Sequence, residues 1–151
     1  MYRDKTIQCL NKYNIPSKLI KLIAKTLHDT KVRVKVNHNY IEKFEILTGV
    51  KQGDPLSETL FSIVIDDILK QLELRSNIST HLKQCSAYAD DILITARTKK
   101  TAIDTFEKLK NISLQFGLIV NENKTKYTKC TRQESQLDKI TVGNIKIDQV
   151  R

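Results

Sequence analysis

Cys85-Ser-Ala-Tyr-Ala-Asp-Asp-Ile-Leu-Ile94 places two adjacent acids inside an otherwise apolar, strand-forming run. The composition on either side predicts two short strands over residues 84–96, joined around Asp90-Asp91. Two carboxylates in such surroundings are costly unless something compensates them. A tight turn that reaches solvent relieves that cost. A divalent cation relieves it too, and Mg²⁺ prefers oxygen ligands of this kind. The second acidic dipeptide, Asp66-Asp67, lies inside a helical pattern. It reads as a solvated helix face, with Asp66 turned away from the apolar rows and Asp67 near their margin.

Upstream of the hairpin, Gly49-Val-Lys-Gln-Gly-Asp-Pro-Leu-Ser57 is a loop running into a helix. Asp54 suits the N-cap and Pro55 the first helical position. Leu60, Val64, Ile68 and Leu72 form one row of that helix, and Phe61, Ile65 and Leu69 the next, which predicts a well-buried element. Further back, Lys31-Val-Arg-Val-Lys-Val36 alternates strictly, as a half-buried strand does. Its valines face one side and its cations the other. Asn37-His38-Asn39 is turn material, and residues 41–48 are the returning strand. The first thirty residues read as two helices, one over 5–13 and one from Pro16 with Leu19, Leu22, Ile23 and Leu27 recurring at helical spacing.

Downstream, residues 99–116 form an amphipathic helix with Ala102, Phe106, Leu109 and Phe116 inward, and Gly117 is a natural stop. A short apolar segment (118–120), a basic segment (124–132) and a hairpin over 139–147, turning at Gly143-Asn144, complete the chain. The layout is α+β, with helices packed on one face of a mostly antiparallel sheet.

The 151 residues are about one domain's worth. At 40% hydrophobic and 28% charged, the chain matches ordinary globular usage rather than a disordered or disulfide-stapled class. Twenty-six Lys and Arg against seventeen Asp and Glu leave a formal charge of +9. That excess favours an anionic partner such as nucleic acid. Twenty of the twenty-six cations are Lys, so a Lys-rich soluble protein reads equally well. Cys9, Cys85 and Cys130 are widely spaced and suit free thiols in a reducing compartment. His28, His38 and His81 are equally scattered, and no His/Cys metal cluster follows from spacing. No secretory signal is visible after Met1, and Leu60–Leu69 is too short and too charged to span a bilayer. The expectation is an intracellular protein, nuclear or cytoplasmic, without a membrane partner.

Tyr88-Ala-Asp-Asp91 on a strand-turn-strand resembles the Y-x-D-D catalytic motif of reverse transcriptases. Gly49–Ser57 resembles the motif that precedes it in that family. Gly117-Leu-Ile-Val-Asn-Glu-Asn-Lys-Thr-Lys126 resembles the motif that follows, and Asn14-Ile-Pro-Ser-Lys-Leu-Ile20 the helix start upstream. The four occur in the family's order. The chain is identified as similar to the polymerase domain of non-LTR (LINE-type) retrotransposons.

The resemblance implies the palm of a right-hand polymerase with part of the fingers, an antiparallel sheet backed by helices. It implies RNA-directed DNA synthesis, a nucleotidyl transfer with an RNA template, a DNA primer and a deoxynucleoside triphosphate, run by a two-metal mechanism with Mg²⁺, or Mn²⁺ in its place. Asp90 and Asp91 would be metal ligands, with Tyr88 and Ala89 shaping the turn beside the primer end. Gln52 and Gly53 would lie against the template and the incoming nucleotide. Lys51 reads either as a phosphate contact or as a solvated lysine. Lys124 matches the family's Lys near the pyrophosphate, a proton donor, and reads otherwise as part of a basic surface loop. Asn121 matches the structural Asn of the same motif. Lys31, Arg33 and Lys35, and Lys126, Lys129 and Arg132, would track nucleic-acid phosphates or simply be solvated.

The family's metal site takes a third carboxylate from an earlier strand with an aromatic-Asp motif. That strand would lie just before Met1. Asp4 is the only acid in the first twenty-eight residues and falls where the family strand has ended. Residues 139–151 match the approach to a primer-grip hairpin. The expectation is a single partial reverse transcriptase domain over residues 1–151, lacking the first catalytic strand, thumb and endonuclease. Such a fragment would be weak or inactive by itself. The alternatives are a catalytically dead remnant that retains only basic nucleic-acid binding, and a stable basic domain with no present role.

Overall fold

The computed structural model describes residues 1–73, 85–131, 139–143 and 145–150. The helices come first and carry the packing. α1 (Arg3–Lys12) and α2 (Ser17–Leu27) are joined by a tight reversal at Asn14. Asn14 takes φ +54°, its N–H donates to the Asn11 carbonyl, and the Ile15 N–H reaches back to the Leu10 carbonyl. That pattern satisfies the last carbonyls of α1, and Asn tolerates the left-handed conformation it needs. α2 buries Ile20 and Leu27, while Leu19 and Leu22 are half exposed. The expected apolar stripe is therefore offset. The covered row is 20, 23 and 27, one position round from Leu19 and Leu22.

α3 (Pro55–Glu73) starts as expected, with the Leu56 N–H donating to Asp54 Oδ1 at 3.0 Å. Leu60, Val64 and Ile68 are buried along its whole length. Val64, Ile65 and Ile68 pack with Cys9, Leu109 and Phe116 in one hydrophobic cluster. Leu60 packs with Leu10, Ile20 and Leu27 in a second. Ile63 lies against both, so α3 is the strut between them.

The polar seam between α1 and α3 corrects one expectation. Asp67 is 6% exposed, not solvated. Its Oδ2 accepts from Lys12 Nζ at 2.8 Å, Gln71 Nε2 at 3.0 Å and Cys9 Sγ at 3.6 Å. Asp66 does lie on the exposed side, where it accepts from the Tyr13 hydroxyl and pairs with Lys70 at 2.7 Å. The Lys70 ammonium also sits 4.4 Å from the centroid of the Tyr13 ring. The Asp66 bond, then the Tyr13 hydroxyl, raise the Lys70 pKa.

The strands form four small sheets among the described residues, rather than one. β1 (Lys31–Val32) pairs antiparallel with β4 (Phe44–Glu45), and β2 (Lys35–Val36) with β3 (Asn39–Tyr40). Together they make one ribbon turning at Asn37, which has φ +54°. Two residues (33–34) oppose three (41–43), so a bulge interrupts the alternation that reads as one strand. The returning strand accordingly begins at Asn39 rather than 41. Val34 and Val36 are exposed, so this is not a half-buried strand. β5 (Cys85–Tyr88) and β6 (Asp91–Ile94) form a hairpin. α4 (Lys99–Gln115) follows, capped by the Thr98 side chain on the Thr101 N–H. Then β7 (Lys126–Tyr127), β8 (Lys139–Val142) and β9 (Ile145–Gln149) form a sheet in which β7 and β9 run parallel and β8 and β9 antiparallel. Ile140, Val142 and Ile147 pack there with Phe106 in a third cluster. The α+β class and the mostly antiparallel pairing are as expected; the single sheet is not. Among the described residues no helix is long and apolar enough to cross a membrane.

Residues 1–3 join two loops. The Gly49 N–H donates to the Met1 carbonyl at 3.0 Å, and Arg3 Nε to the Gly49 carbonyl at 3.1 Å. On the other side, the Tyr2 N–H donates to the Phe116 carbonyl at 2.8 Å. The Tyr2 ring lies so close to Gly117 that a Cβ there would meet it at 3.0 Å.

Candidate functional site

The 85–94 hairpin pairs Cys85 with Ile94, Ser86 with Leu93, Ala87 with Ile92 and Tyr88 with Asp91. Directly opposed residues share a face. Ile92 and Ile94 point inward and join the cluster formed by α3, α4 and Phe116. Ser86, Tyr88, Asp91 and Leu93 share the other face, and all four are exposed. Tyr88 is 85% exposed. Ala89 and Asp90 make the turn, and Ala89 holds φ +50°, a left-handed conformation that L side chains rarely adopt. The apolar flanks thus serve as anchors on one face, and the two acids stand on the open tip.

Exposure, then, removes the burial cost, and burial alone gives no argument for a cation. Among the described residues neither carboxylate is engaged by a cation or a hydrogen-bond donor. No group of three or more His, Cys, Asp or Glu side chains gathers there to hold a metal either. Two hard oxygen donors fit Mg²⁺, which is commonly bound through one or two carboxylates together with substrate phosphates.

The Gly49–Ser57 loop is anchored at both ends, by Met1 and Arg3 at Gly49 and by the Asp54 cap at α3. Lys51, Gln52 and Gly53 are exposed between them. Gly53 has φ +82° and open space where a Cβ would stand. Its glycine is thus required by the backbone conformation; close crowding plays no part. Val50 and Leu56 root the loop in the second cluster.

Lys124 projects from a turn built by Asn121. The Asn121 Oδ1 accepts from the Lys124 N–H at 3.2 Å, and its carbonyl from the Thr125 N–H at 3.1 Å and hydroxyl at 2.9 Å. This gives Asn121 the structural part expected of it. Glu122 ties the turn to α4 through Lys110 at 2.6 Å. Leu118, just before the turn, enters the same cluster as Ile92 and Ile94.

Tyr88, Ala89, Asp90 and Asp91 therefore meet on one hairpin tip, while Lys51–Gly53 and Lys124 stand on two further loops. The weaker basic candidates divide. Lys31 pairs with Glu45 at 3.3 Å. Lys126 pairs with Asp148 at 3.1 Å, and Lys139 pairs with the same acid at 3.0 Å. These two cations, Lys139 first, hold the Asp148 carboxyl below the ordinary carboxylate range. Arg33 and Lys35 flank the Tyr40 ring, Lys129 is exposed, and Arg132 lies outside the described residues. Asp4 lines an open cleft of about 320 Å³ with Tyr2, Arg3 and His28, and none of the other candidates lines it. Sequence reasoning missed Tyr40 altogether. Its signal was available, an aromatic on the strand returning opposite Lys35.

The structure thus sets an exposed acid pair on a strand-turn-strand tip in a basic α+β chain. The chain belongs to the reverse transcriptase (RNA-dependent DNA polymerase) family, whose model matches residues 2–142. It is 28% identical over 117 residues to the retrovirus-related Pol polyprotein from the type-2 retrotransposable element R2DM of Drosophila melanogaster, covering 76% of this chain and 11% of that protein. It is 29% identical over 128 residues to the Pol polyprotein from a type-1 retrotransposable element R2 of Bradysia coprophila, covering 83% and 15%. A Popillia japonica R2 Pol polyprotein is 30% identical over 92 residues, covering 58% and 15%. The chain thus spans between a tenth and a sixth of these relatives' length, and they bear out the resemblance to non-LTR retrotransposons.

Proposed function

We propose that this chain is the fingers and palm part of an RNA-directed DNA polymerase, with the 85–94 hairpin as its catalytic turn. The observation that carries the reading is the pair Asp90 and Asp91 on an open tip, within a chain of this family. Asp90 and Asp91 would hold Mg²⁺, two of the three carboxylates that the family's metal site takes. When bound, the metal supplies Lewis acidity at the reacting phosphate and makes the primer 3′-hydroxyl easier to deprotonate.

The chain's own residues provide the positioning. Tyr88 offers an exposed ring beside the acids, where the primer end rests. The Gln52–Gly53 backbone, fixed at both ends of its loop, lies against the template and the incoming deoxynucleotide. Lys51 meets phosphate. Lys124, held by the Asn121 turn, neutralises the leaving pyrophosphate and delivers a proton to it.

Primer extension on an RNA template with Mg²⁺ or Mn²⁺ tests this, run beside Asp90→Asn. Extension abolished by the substitution supports the reading, and extension unaffected by it refutes it. Because the chain covers only part of its relatives, Mn²⁺ line broadening of backbone NMR signals is measured as well. Broadening centred on residues 88–92 and lost in Asp90→Asn supports the assignment. Its absence at millimolar Mn²⁺, together with retained salt-dependent RNA binding, would favour a chain that only binds nucleic acid.

A further inference from the structure

The ribbon of residues 31–45 carries a feature that the catalytic hairpin does not need. Its cationic row is divided by the fold. Lys31 is held by Glu45, whereas among the described residues no carboxylate pairs with Arg33 or Lys35. Those two instead address one ring. The Arg33 guanidinium carbon lies 5.6 Å from the Tyr40 centroid and the Lys35 ammonium 5.8 Å. Both are within the distance at which a cation is attracted to an aromatic face. Lys35 is directly opposite Tyr40 in the register, so the three side chains share one surface. Tyr40 remains 60% exposed.

A lone exposed tyrosine carries no meaning. A ring steered by two cations free of carboxylates, on a chain of charge +9, is a different object. Single-stranded nucleic acid is held by this combination, bases stacking on aromatic faces while Arg and Lys meet the adjoining phosphates. A duplex offers no such face, because its bases already stack on one another. The bulge opposite residues 33–34 adds twist to the ribbon and presents the ring at its outer end.

We propose that Tyr40, Arg33 and Lys35 form a binding site for one unpaired nucleotide of a single strand, with the base on the ring and its flanking phosphates on the two cations. This deepens the polymerase reading, since it places an unpaired stretch of template on the ribbon. The two fail separately, because Mn²⁺ broadening reports on the hairpin and strand binding on the ribbon.

The test is fluorescence anisotropy of the whole chain with labelled oligo(U) RNA and oligo(dT) DNA of about twelve nucleotides, and with a blunt RNA duplex. Tyr40→Ala should weaken single-strand binding about tenfold and leave duplex binding unchanged. Tyr40→Phe should retain the affinity. Tyr40→Leu, which keeps bulk without a π face, should weaken it as Ala does, separating stacking from a loss of ribbon packing. Arg33→Gln with Lys35→Gln should lower the slope of log affinity against log salt by about 1.4, at roughly 0.7 per phosphate released from a single strand. Equal effects on RNA and DNA indicate a site that reads stacking alone, and a larger effect on RNA adds a 2′-hydroxyl contact; both keep the site. Tyr40→Leu binding as tightly as wild type, or Tyr40→Ala weakening the duplex equally, overturns it.

Discussion

Replacing Asp67 with Asn keeps the side chain's shape and removes its charge. Oδ2 accepts from three donors, Lys12, Gln71 and Cys9, and Oδ1 accepts again from Lys12 at 3.0 Å. An amide has one oxygen and one NH₂. With the oxygen in the Oδ2 position, the NH₂ confronts the Lys12 ammonium. With the amide turned over, the NH₂ confronts the Cys9 thiol and the Gln71 amide. Neither orientation satisfies the seam. A hydrogen bond to a charged group contributes about 1.5–3 kcal/mol. Lys12 is more than half exposed, so solvent screens its share toward the lower end. The expected loss for Asp67→Asn is about 2 kcal/mol, or about 4–8 °C in Tm for a chain of this length. In Asp67→Asn with Lys12→Met, the NH₂ faces no cation and the oxygen still accepts from Cys9 and Gln71. The double variant should therefore lose about 1 kcal/mol less than the sum of the single ones. Urea unfolding of all four proteins, followed by far-ultraviolet circular dichroism, measures this. An Asp67→Asn midpoint within about 0.5 kcal/mol of wild type, or an additive cycle, would refute the reasoning.

Three further outcomes are expected. Burial first, and Asp67 second, push the Cys9 thiol from 9.0 up to about 11. The folded state therefore holds this proton more tightly than the unfolded one, so the contribution is complete below pH 9 and is lost as pH rises through about 11. Stability against pH should fall less steeply in Cys9→Ala across that window, and parallel curves would show that the thiol is not perturbed. Ala89→Gly should stabilise the hairpin by about 1 kcal/mol by relieving the left-handed backbone, and Ala89→Val should destabilise it; a urea midpoint for Val equal to that of Ala would mean the turn relaxes. Gly117→Ala should cost more than Gly143→Ala, because φ is positive at both but only at 117 does the new Cβ strike a neighbour, the Tyr2 ring. Tyr2→Ala should remove that excess, and equal costs at the two glycines would contradict the contact.

The helices were legible because their apolar rows repeat at the helical period, and in α3 every row finds a neighbour. The order of elements and the hairpin around the acid pair were legible for the same kind of reason. Coverage was not. Periodicity finds an apolar face but does not say how many layers exist to cover it, which is why Leu19, Leu22, Val34 and Val36 read as interior and stand exposed. Asp67 was misread because Lys12 and Cys9 approach it from another helix more than fifty residues away. Tyr40 escaped because the returning strand reads as starting at 41, whereas it starts at Asn39 and sets Tyr40 opposite Lys35. At the candidate site the residue identities were legible in the motif, whereas their exposure and the left-handed Ala89 emerged only from the folded backbone.

The short segment at residues 1–3 gives the loops bearing Gln52 and Lys124 a common datum. One loop is referenced to Met1 and Arg3 at Gly49, and the other to Tyr2 at Phe116 and Gly117. Both loop roots are thus hydrogen-bonded to three consecutive residues, Gly49 to Met1 and Arg3, and Phe116 to Tyr2. A substitution at Tyr2 or Arg3 alters that common reference without touching any residue of the loops themselves.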